Sequence, residues 1–492
     1  MMRSPSTTAA TPPAAAPRRI EDLPGPRGWP LVGSLFSVRR QRVHQAMEAW
    51  SRLHGPLFRV KLGATQVVVV SDHELIGQLL RERPDTFSRS SQLRRVGQEL
   101  GGIPGLFSAE GEAWRRQRRM VMASFAPGHV RAYFPALQQV ALRLRKRWLH
   151  AAQAGTAIDL QADLKRYAVD IIAGLAFGSE VNTLEAGEDV IQRHLDTVLA
   201  TIFRRVMTPI PYWRWFKLAD DRRADRSMAA LQQAIGGFIA QARERLHADP
   251  SRREQPRNLL EAMLAAAEDG DAGLSDRDVA GNVSTMLFAG EDTTSNTLAW
   301  LIWLLHHHPQ ALQRAREEVQ RVVPDLASAS FEQIDSLDYV EACASEAMRL
   351  KPVAPFLGLE ALHDTTVADV QLPRGTLLWL VLRHDSLDER WFGAAERFEP
   401  ERWLAADGAA AAAPAPNKRV AMPFGGGPRV CPGRYLALLE IKLAMATLLG
   451  SFDLDSLATA DGQAMQEHMT FTMNPSELQL RLRLRTQPSF PR

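Results

Sequence analysis

The sequence predicts a mainly α-helical chain with small β-sheets, and three observations point there. Helical periodicity dominates from about residue 111 to 350, strand-like runs are short and confined to two stretches, and no composition shift marks a second folding unit. The 492 residues are 45% hydrophobic and 23% charged, ordinary globular values with ample material for a large core. The 59 Lys and Arg against 56 Asp and Glu leave a net +3. The pI of 9.0 therefore reflects local basic patches and not a nucleic-acid-binding chain.

Taken in order, Met1 to Arg19 is rich in Ala, Pro, Ser and Thr and has no apolar stretch of membrane-spanning length. Residues 1–22 read as a disordered tail without a secretory signal or membrane anchor, and residues 23–492 as a single domain. The Arg-containing, acid-poor start leaves a transit peptide as the alternative to a cytoplasmic protein. Leu23 to Pro30 holds too much Pro and Gly for a helix or strand and reads as extended. Leu57 to Leu62 and Gln66 to Val70, separated by Gly63-Ala64, read as a hairpin. Ser275 and Asp278 form a capping box that opens a helix running to about His306. The run His306-His307-His308 suits the end of that helix, before Pro309, better than a metal site. Strand-like pieces return from Thr365 to Leu382 around the turn Pro373-Arg374-Gly375, and Ala405 to Pro416 is a low-complexity surface loop.

The only cysteines are Cys343 and Cys431. That disfavours a zinc or iron–sulfur site, excludes a disulfide framework and fits a reducing compartment. Cys431 lies in Phe424-Gly425-Gly426-Gly427-Pro428-Arg429-Val430-Cys431-Pro432-Gly433. Three successive glycines force an unusual backbone path. Pro432 suits the first position of a helix, with Tyr435 to Leu449 as its apolar run. Cys431 then sits at a helix N-terminus, where the dipole favours thiolate over thiol. Such a thiolate serves as nucleophile, redox centre or metal ligand, and the residues alone leave these open.

The segment resembles the Cys-ligand loop of the cytochrome P-450 family, with Phe424, Arg429, Cys431 and Gly433 at that family's spacing. The resemblance implies the family's fold, with haem b (iron protoporphyrin IX) between a long central helix and the Cys loop. It implies Cys431 as axial iron ligand, Phe424 beside the sulfur and Arg429 on a haem propionate. Ala289-Gly290-Glu291-Asp292-Thr293-Thr294 resembles the oxygen-activation segment, with Thr293 as alcohol and Asp292 as acid. Gly290, mid-helix, costs about 1 kcal/mol relative to Ala, and close approach of a flat ligand would justify it. Trp114 and Arg118, one helical turn apart, resemble the helix that meets a propionate. Glu346 and Arg349, with the later Arg402, resemble the family's buried ion network. One departure stands out: many members carry a propionate-binding Arg where this chain has Glu360, which leaves two alternatives, that His363 substitutes or that one propionate is satisfied differently.

By the same resemblance, the pocket is lined by Leu287, Phe288 and Ala289, by Val353 to Leu357 including Phe356, and by Phe471 and Thr472. The implied reaction is hydroxylation of a small apolar substrate, terpenoid, steroid or fatty-acid-like, by dioxygen. No nucleotide-binding pattern marks a fused reductase. Electrons are therefore expected from a separate ferredoxin or flavodoxin with its NAD(P)H reductase, the enzyme itself being a monomer.

Overall fold

The computed structural model describes residues 17–125, 127–185, 190–268, 275–404 and 417–485. Its axis is the helix Asp276–His307, 32 residues and about 48 Å long at roughly 1.5 Å per residue. The predicted capping box opens it: the Ser275 N–H donates to Asp278 Oδ2 at 2.9 Å, and the Asp278 N–H donates to Ser275 Oγ at 3.2 Å. At the far end, His307 and His308 direct Nδ1 at the carbonyls of Trp303 and Leu304. This central helix is buried along most of its length and packs most extensively against the helix Leu160–Phe177. The helices Phe134–Ala154, Asp338–Leu350 and Arg434–Ser451 complete the main core.

Among the described residues, the strands, numbered along the chain, form four small sheets. β1 (Leu57–Leu62), β2 (Thr65–Val70), β3 (Phe87–Arg89), β5 (Phe356–Ala361) and β8 (Leu377–Val381) make one sheet in the order β1-β2-β8-β5-β3. β1 and β2 are the predicted hairpin, in register Leu57↔Val70 through Leu62↔Thr65. β4 (Ile158–Asp159), β9 (Phe452–Thr459) and β12 (Leu478–Leu484) form a second sheet. β6 (Thr365–Val367) pairs with β7 (Val370–Leu372), and β10 (Glu467–Met469) with β11 (Met473–Pro475).

Two expectations are corrected. The tail does not extend to residue 22: Arg18 bridges Val370 in parallel, its Nε lies 2.6 Å from Asp369 Oδ2, and Ile20–Asp22 forms a 3-10 turn. Residues 1–16 lie outside the described residues, as does the Ala/Pro loop 405–416. Pro432 is not the first helical residue, because the helix begins at Arg434 with Gly433 at its N-cap. The strands after residue 451 went unanticipated. Among the described residues, no helix is long and apolar enough to cross a membrane.

Candidate active site

The Cys431 loop owes its path to its glycines. Gly425 and Gly427 have φ of 71° and 65°, the left-handed region that favours glycine. A Cβ on Gly427 would stand 2.1 Å from the Leu80 carbonyl oxygen, so the loop also needs that close approach to the helix His73–Arg81. The Cys431 N–H donates to the Phe424 carbonyl at 3.0 Å and closes the loop. Arg118 Nη2 donates to the Val430 carbonyl at 2.7 Å and braces it from the helix Gly111–Ser124.

This arrangement opens the Cys431 sulfur onto a cavity of about 570 Å³. Burial pushes the thiol up from its ordinary value, while the Gly433 N–H and Arg118 pull the other way. The helix itself starts three residues later, at Arg434. The other walls carry Trp114, Arg118, Ala289, Gly290, Thr293, Val353, Phe356, Phe424, Arg429, Gly433, Phe471 and Thr472, all expected there from the sequence.

Leu287 and Phe288 are not on this wall. Leu287 is buried in the main core and Phe288 packs against the same core. The reason is helical phase: Met286, Ala289, Gly290, Thr293 and Thr297 share the cavity face, and the two intervening residues turn away from it. The account of Gly290 also changes. A Cβ there would meet Ile172 side-chain atoms at 3.1 to 3.4 Å, so the missing side chain mainly lets the two central helices approach.

Along residues 289–297 the central helix is lined by side chains bonded back onto it. Thr293 Oγ1 donates to the Ala289 carbonyl at 2.7 Å, Ser295 Oγ to Glu291 at 2.7 Å, and Thr297 Oγ1 to Thr293 at 2.8 Å. Such back-bonding competes with the helical ladder and loosens it. Asp292 turns away from the cavity and is fully enclosed. Its carboxylate lies 2.5 Å from Thr472 Oγ1, accepts from Asn296 Nδ2 at 2.9 Å and stands 3.9 Å from Lys165 Nζ. Burial raises its pKa, against Lys165, Thr472 and Asn296. Thr472 Oγ1 also lies 2.8 Å from Asn474 Oδ1. One hydroxyl proton cannot serve two acceptors. A protonated Asp292 that donates to Thr472, which in turn donates to Asn474, satisfies both.

Lys165 is the cation at the centre of this group. It pairs with Asp196 and lies 3.8 Å from Glu291. Burial works against its charge, but Glu291, Asp196 and Asp292 overcome it and raise its pKa.

Sequence reasoning missed several wall residues, for which no local pattern exists. Glu440, on the helix Arg434–Ser451, lines the cavity and is hydrogen-bonded to Thr294. Burial pushes its carboxyl up to about 8, against that hydrogen bond. A raised acid pKa means the folded chain holds a proton that the unfolded chain releases, so stability falls as pH rises from the ordinary glutamate range toward 8. Glu440→Gln is therefore expected to raise Tm over wild type by more at pH 8 than at pH 5, measured by thermal unfolding. An equal shift at both values would show that Glu440 does not titrate in this range.

Two further arginines were not anticipated: Arg83 and Arg89 line the cavity beside the expected Arg118 and Arg429. Arg429 Nη2 donates to the Ala109 carbonyl at 2.7 Å and pairs with Glu110, while its guanidinium stacks 4.6 Å from the Trp114 ring centre. Arg83 Nε and Nη2 are buried without a hydrogen-bond partner among the described residues. Burial and the neighbouring Arg429 bring its pKa down to about 10, against Glu110. A group carrying carboxylates and a thiolate-binding metal fits this donor set, so the residues present fit haem.

The sequence profile of the cytochrome P-450 family matches residues 23–482. The chain belongs to the cytochrome P-450 family. It is 29% identical over 478 residues to a self-sufficient cytochrome P-450 monooxygenase of Oidiodendron maius, which covers 94% of this chain and 42% of that protein's length. It is 28% identical over 465 residues to the human mitochondrial 25-hydroxyvitamin D-1 alpha hydroxylase, covering 89% of this chain and 88% of that one. A solved cytochrome P-450DA mutant heme domain shares the fold, with a TM-score of 0.77 at 24% identity over 94% of this chain and 97% of the other. Within this P-450 chain, Glu346, Arg349 and Arg402 meet in one buried network: Glu346 accepts from Arg349 Nε at 2.8 Å and from Arg402 Nε at 3.2 Å.

Proposed function

We propose that this chain is a haem-thiolate monooxygenase that hydroxylates a small apolar substrate, with dioxygen as oxidant and electrons from a separate redox partner. The observation that carries this reading is a shared cavity, in which the Cys431 sulfur and the Thr293 hydroxyl meet the apolar side chains of Val353, Phe356 and Phe471. Haem b held by Cys431 would supply dioxygen activation there, since a thiolate ligand pushes electron density toward O–O cleavage. Trp114, Arg118, Ala289, Gly290, Phe424, Arg429 and Gly433, which line the same cavity, are the residues that would hold it with Cys431.

Thr293 commits its hydroxyl proton to the Ala289 carbonyl. Its oxygen lone pairs then face the cavity and can hold a hydrogen-bond donor. Asp292 is the acid of the pair: its buried carboxyl, held by Thr472 and Asn296, is the group that would pass a proton toward Thr293 and take one up again from solvent before the next turnover. The apolar walls exclude water and orient the substrate. The names of two relatives, the human 25-hydroxyvitamin D-1 alpha hydroxylase and a steroid 17-alpha-hydroxylase/17,20 lyase of Oryzias latipes, support a steroid-like substrate, and a terpenoid or fatty-acid-like chain fits the same apolar walls. Arg119 and Arg434 are exposed beside Arg118 and the Cys431 loop. Cations there suit an acidic ferredoxin or flavodoxin, because charge complementarity speeds encounter.

The test is a substrate library screened by the Soret shift, followed by turnover with a ferredoxin, its reductase and NADPH. Hydroxylated product under dioxygen supports the reading. Product from peroxide alone, with none from dioxygen and electrons, overturns it. Thr293→Ala is expected to bind haem normally and to divert most of the consumed NADPH to hydrogen peroxide. Coupling equal to wild type would remove Thr293 from proton control.

A further inference from the structure

We infer that Asn474 is a positioning residue for proton transfer: acting through Thr472, it keeps a proton on Asp292. The consequence for turnover rests on the monooxygenase reading above, whereas the protonation of Asp292 does not.

The charges around Asp292 favour one protonated carboxyl. Carboxylate oxygens of Asp196, Glu291 and Asp292 lie within 4.8 Å of one another. Lys165, on the helix Leu160–Phe177, faces all three. It pairs with Asp196 of the helix Val190–Val206 and stands 3.8 Å from Glu291 and 3.9 Å from Asp292. One cation against three ionised carboxylates would leave two net negative charges in this group. Glu291 and Asp292 are both buried, and like charges sharing a buried site hold one carboxyl protonated. Which carboxyl keeps the proton is decided by its other partners.

A one-way chain of hydrogen bonds selects Asp292. Asn296 Nδ2 donates to Asp292 Oδ1 at 2.9 Å, which leaves Oδ2 for the proton. Oδ2 lies 2.5 Å from Thr472 Oγ1, and that oxygen lies 2.8 Å from Asn474 Oδ1. The Asn474 amide is oriented by its other end, where Nδ2 donates to Thr470 Oγ1 at 3.2 Å. An amide oxygen only accepts, so the Thr472 hydroxyl donates to Asn474 and turns a lone pair toward Asp292. Only a protonated Oδ2 completes that contact. Hydrogen bonds that run in one direction reinforce one another.

The strand β11 holds Asn474 in place. The Met473 N–H donates to the Val353 carbonyl at 2.8 Å, and Trp300 Nε1, on the central helix, donates to the Met473 carbonyl at 3.1 Å. On the paired strand β10, Glu467 accepts from Arg383 Nη1 at 2.7 Å and from Nη2 at 3.0 Å. Asn474 does not line the cavity, whereas Thr472 and its neighbour Phe471 do. Asn474 therefore acts on the acid from behind the substrate wall. Burial raises the Asp292 pKa in the same direction, against Lys165. Thr472 would lower it only as a donor to Asp292, and its proton is taken by Asn474.

The experiment is an infrared difference titration of the holoprotein carrying isotope-labelled aspartate. It follows the carboxylic-acid carbonyl band of Asp292, assigned by its loss in Asp292→Asn. The variants are Asn474→Ala, Asn474→Asp, and Thr472→Val with and without Asn474→Ala, each checked for folding by circular dichroism. Asn474→Ala frees the Thr472 hydroxyl to donate to Asp292, so the midpoint should fall by about one pH unit, the scale of one hydrogen bond. Asn474→Asp keeps the acceptor and adds a negative charge, so the midpoint should rise. A purely structural role would not move the two in opposite directions. Thr472→Val cuts the path, and adding Asn474→Ala should then shift nothing further. In turnover, product formed per NADPH consumed should decline at a lower pH in Asn474→Ala than in wild type, and at a higher pH in Asn474→Asp. Shifts of one sign in the two Asn474 variants, or no shift, overturn the inference, as does a wild type without the protonated Asp292 band at any pH. The expected shifts in a protein that forms no hydroxylated product would leave it standing and overturn the monooxygenase reading instead.

Discussion

Replacing Cys431 with alanine is expected to abolish the carbon-monoxide difference band of a thiolate-ligated haem while leaving the fold intact. The separation of these effects follows from where the sulfur lies. Cys431 is open to the cavity, and the loop around it is held by its backbone: the Cys431 N–H to Phe424, the Arg118 brace to Val430, and the seat of Gly427 against Leu80. None of these uses the side chain, so thermal unfolding of the haem-free protein should change by no more than a typical surface substitution, roughly 0.5 kcal/mol. Cys343 is the natural control. It is fully buried in the core, where burial raises its pKa, and it does not line the cavity. Cys343→Ala should therefore keep the thiolate spectrum and lose some stability to the cavity it leaves. A normal spectrum in Cys431→Ala, or its loss in Cys343→Ala, would move the ligand assignment.

What the sequence made legible was local or strictly periodic. The central helix was readable because its capping box and long apolar run are both encoded within a few turns. The β1–β2 hairpin was readable because two short apolar runs, the second with four consecutive valines, flank a glycine. The Cys431 loop was readable because three glycines have no other ready explanation. Helix phase relative to a cavity is a tertiary property, and it put Leu287 and Phe288 on the wrong side although their segment was right. Arg83 and Arg89 were invisible for a related reason. Each is one cation among many in the sequence, and only the meeting of β3 with β5 and of the Cys loop with the helix His73–Arg81 gathers them with Arg429. The late strands β9 and β12 carry polar residues between apolar ones, and β12 gains part of its order from pairing with the distant β4.

Arg349→Ala is expected to be the most destabilising single substitution in the chain. All five N–H donors of Arg349 are used: Nε and Nη2 on Glu346 at 2.8 and 2.7 Å, Nη1 on the carbonyls of Ser386 and Ala395 at 2.6 Å each, and Nη2 also on Arg397 at 3.0 Å. Glu346 also accepts from the Glu399 N–H at 3.0 Å and from Trp403 Nε1 at 2.8 Å. Burial pushes the Glu346 carboxyl up, but Arg349, the Glu399 N–H and Trp403 together hold it below the usual range. Stability from this carboxylate is present above the ordinary glutamate range and drains away as pH falls below it. Removing Arg349 strands a buried anion and orphans three carbonyls in the segment that leads toward the Cys431 loop. Breaking such a pair costs about 3–5 kcal/mol, a large share of the roughly 5–15 kcal/mol that stabilises a typical domain. Arg349→Lys should fail nearly as badly, because one ammonium cannot reproduce the planar fork. The pair Glu112–Arg115 has the same spacing but lies exposed, so Glu112→Ala should cost at most about 1 kcal/mol. Thermal unfolding and haem content of the three variants decide the matter: Arg349→Ala as stable and as fully loaded as Glu112→Ala would mean that burial does not set the two pairs apart.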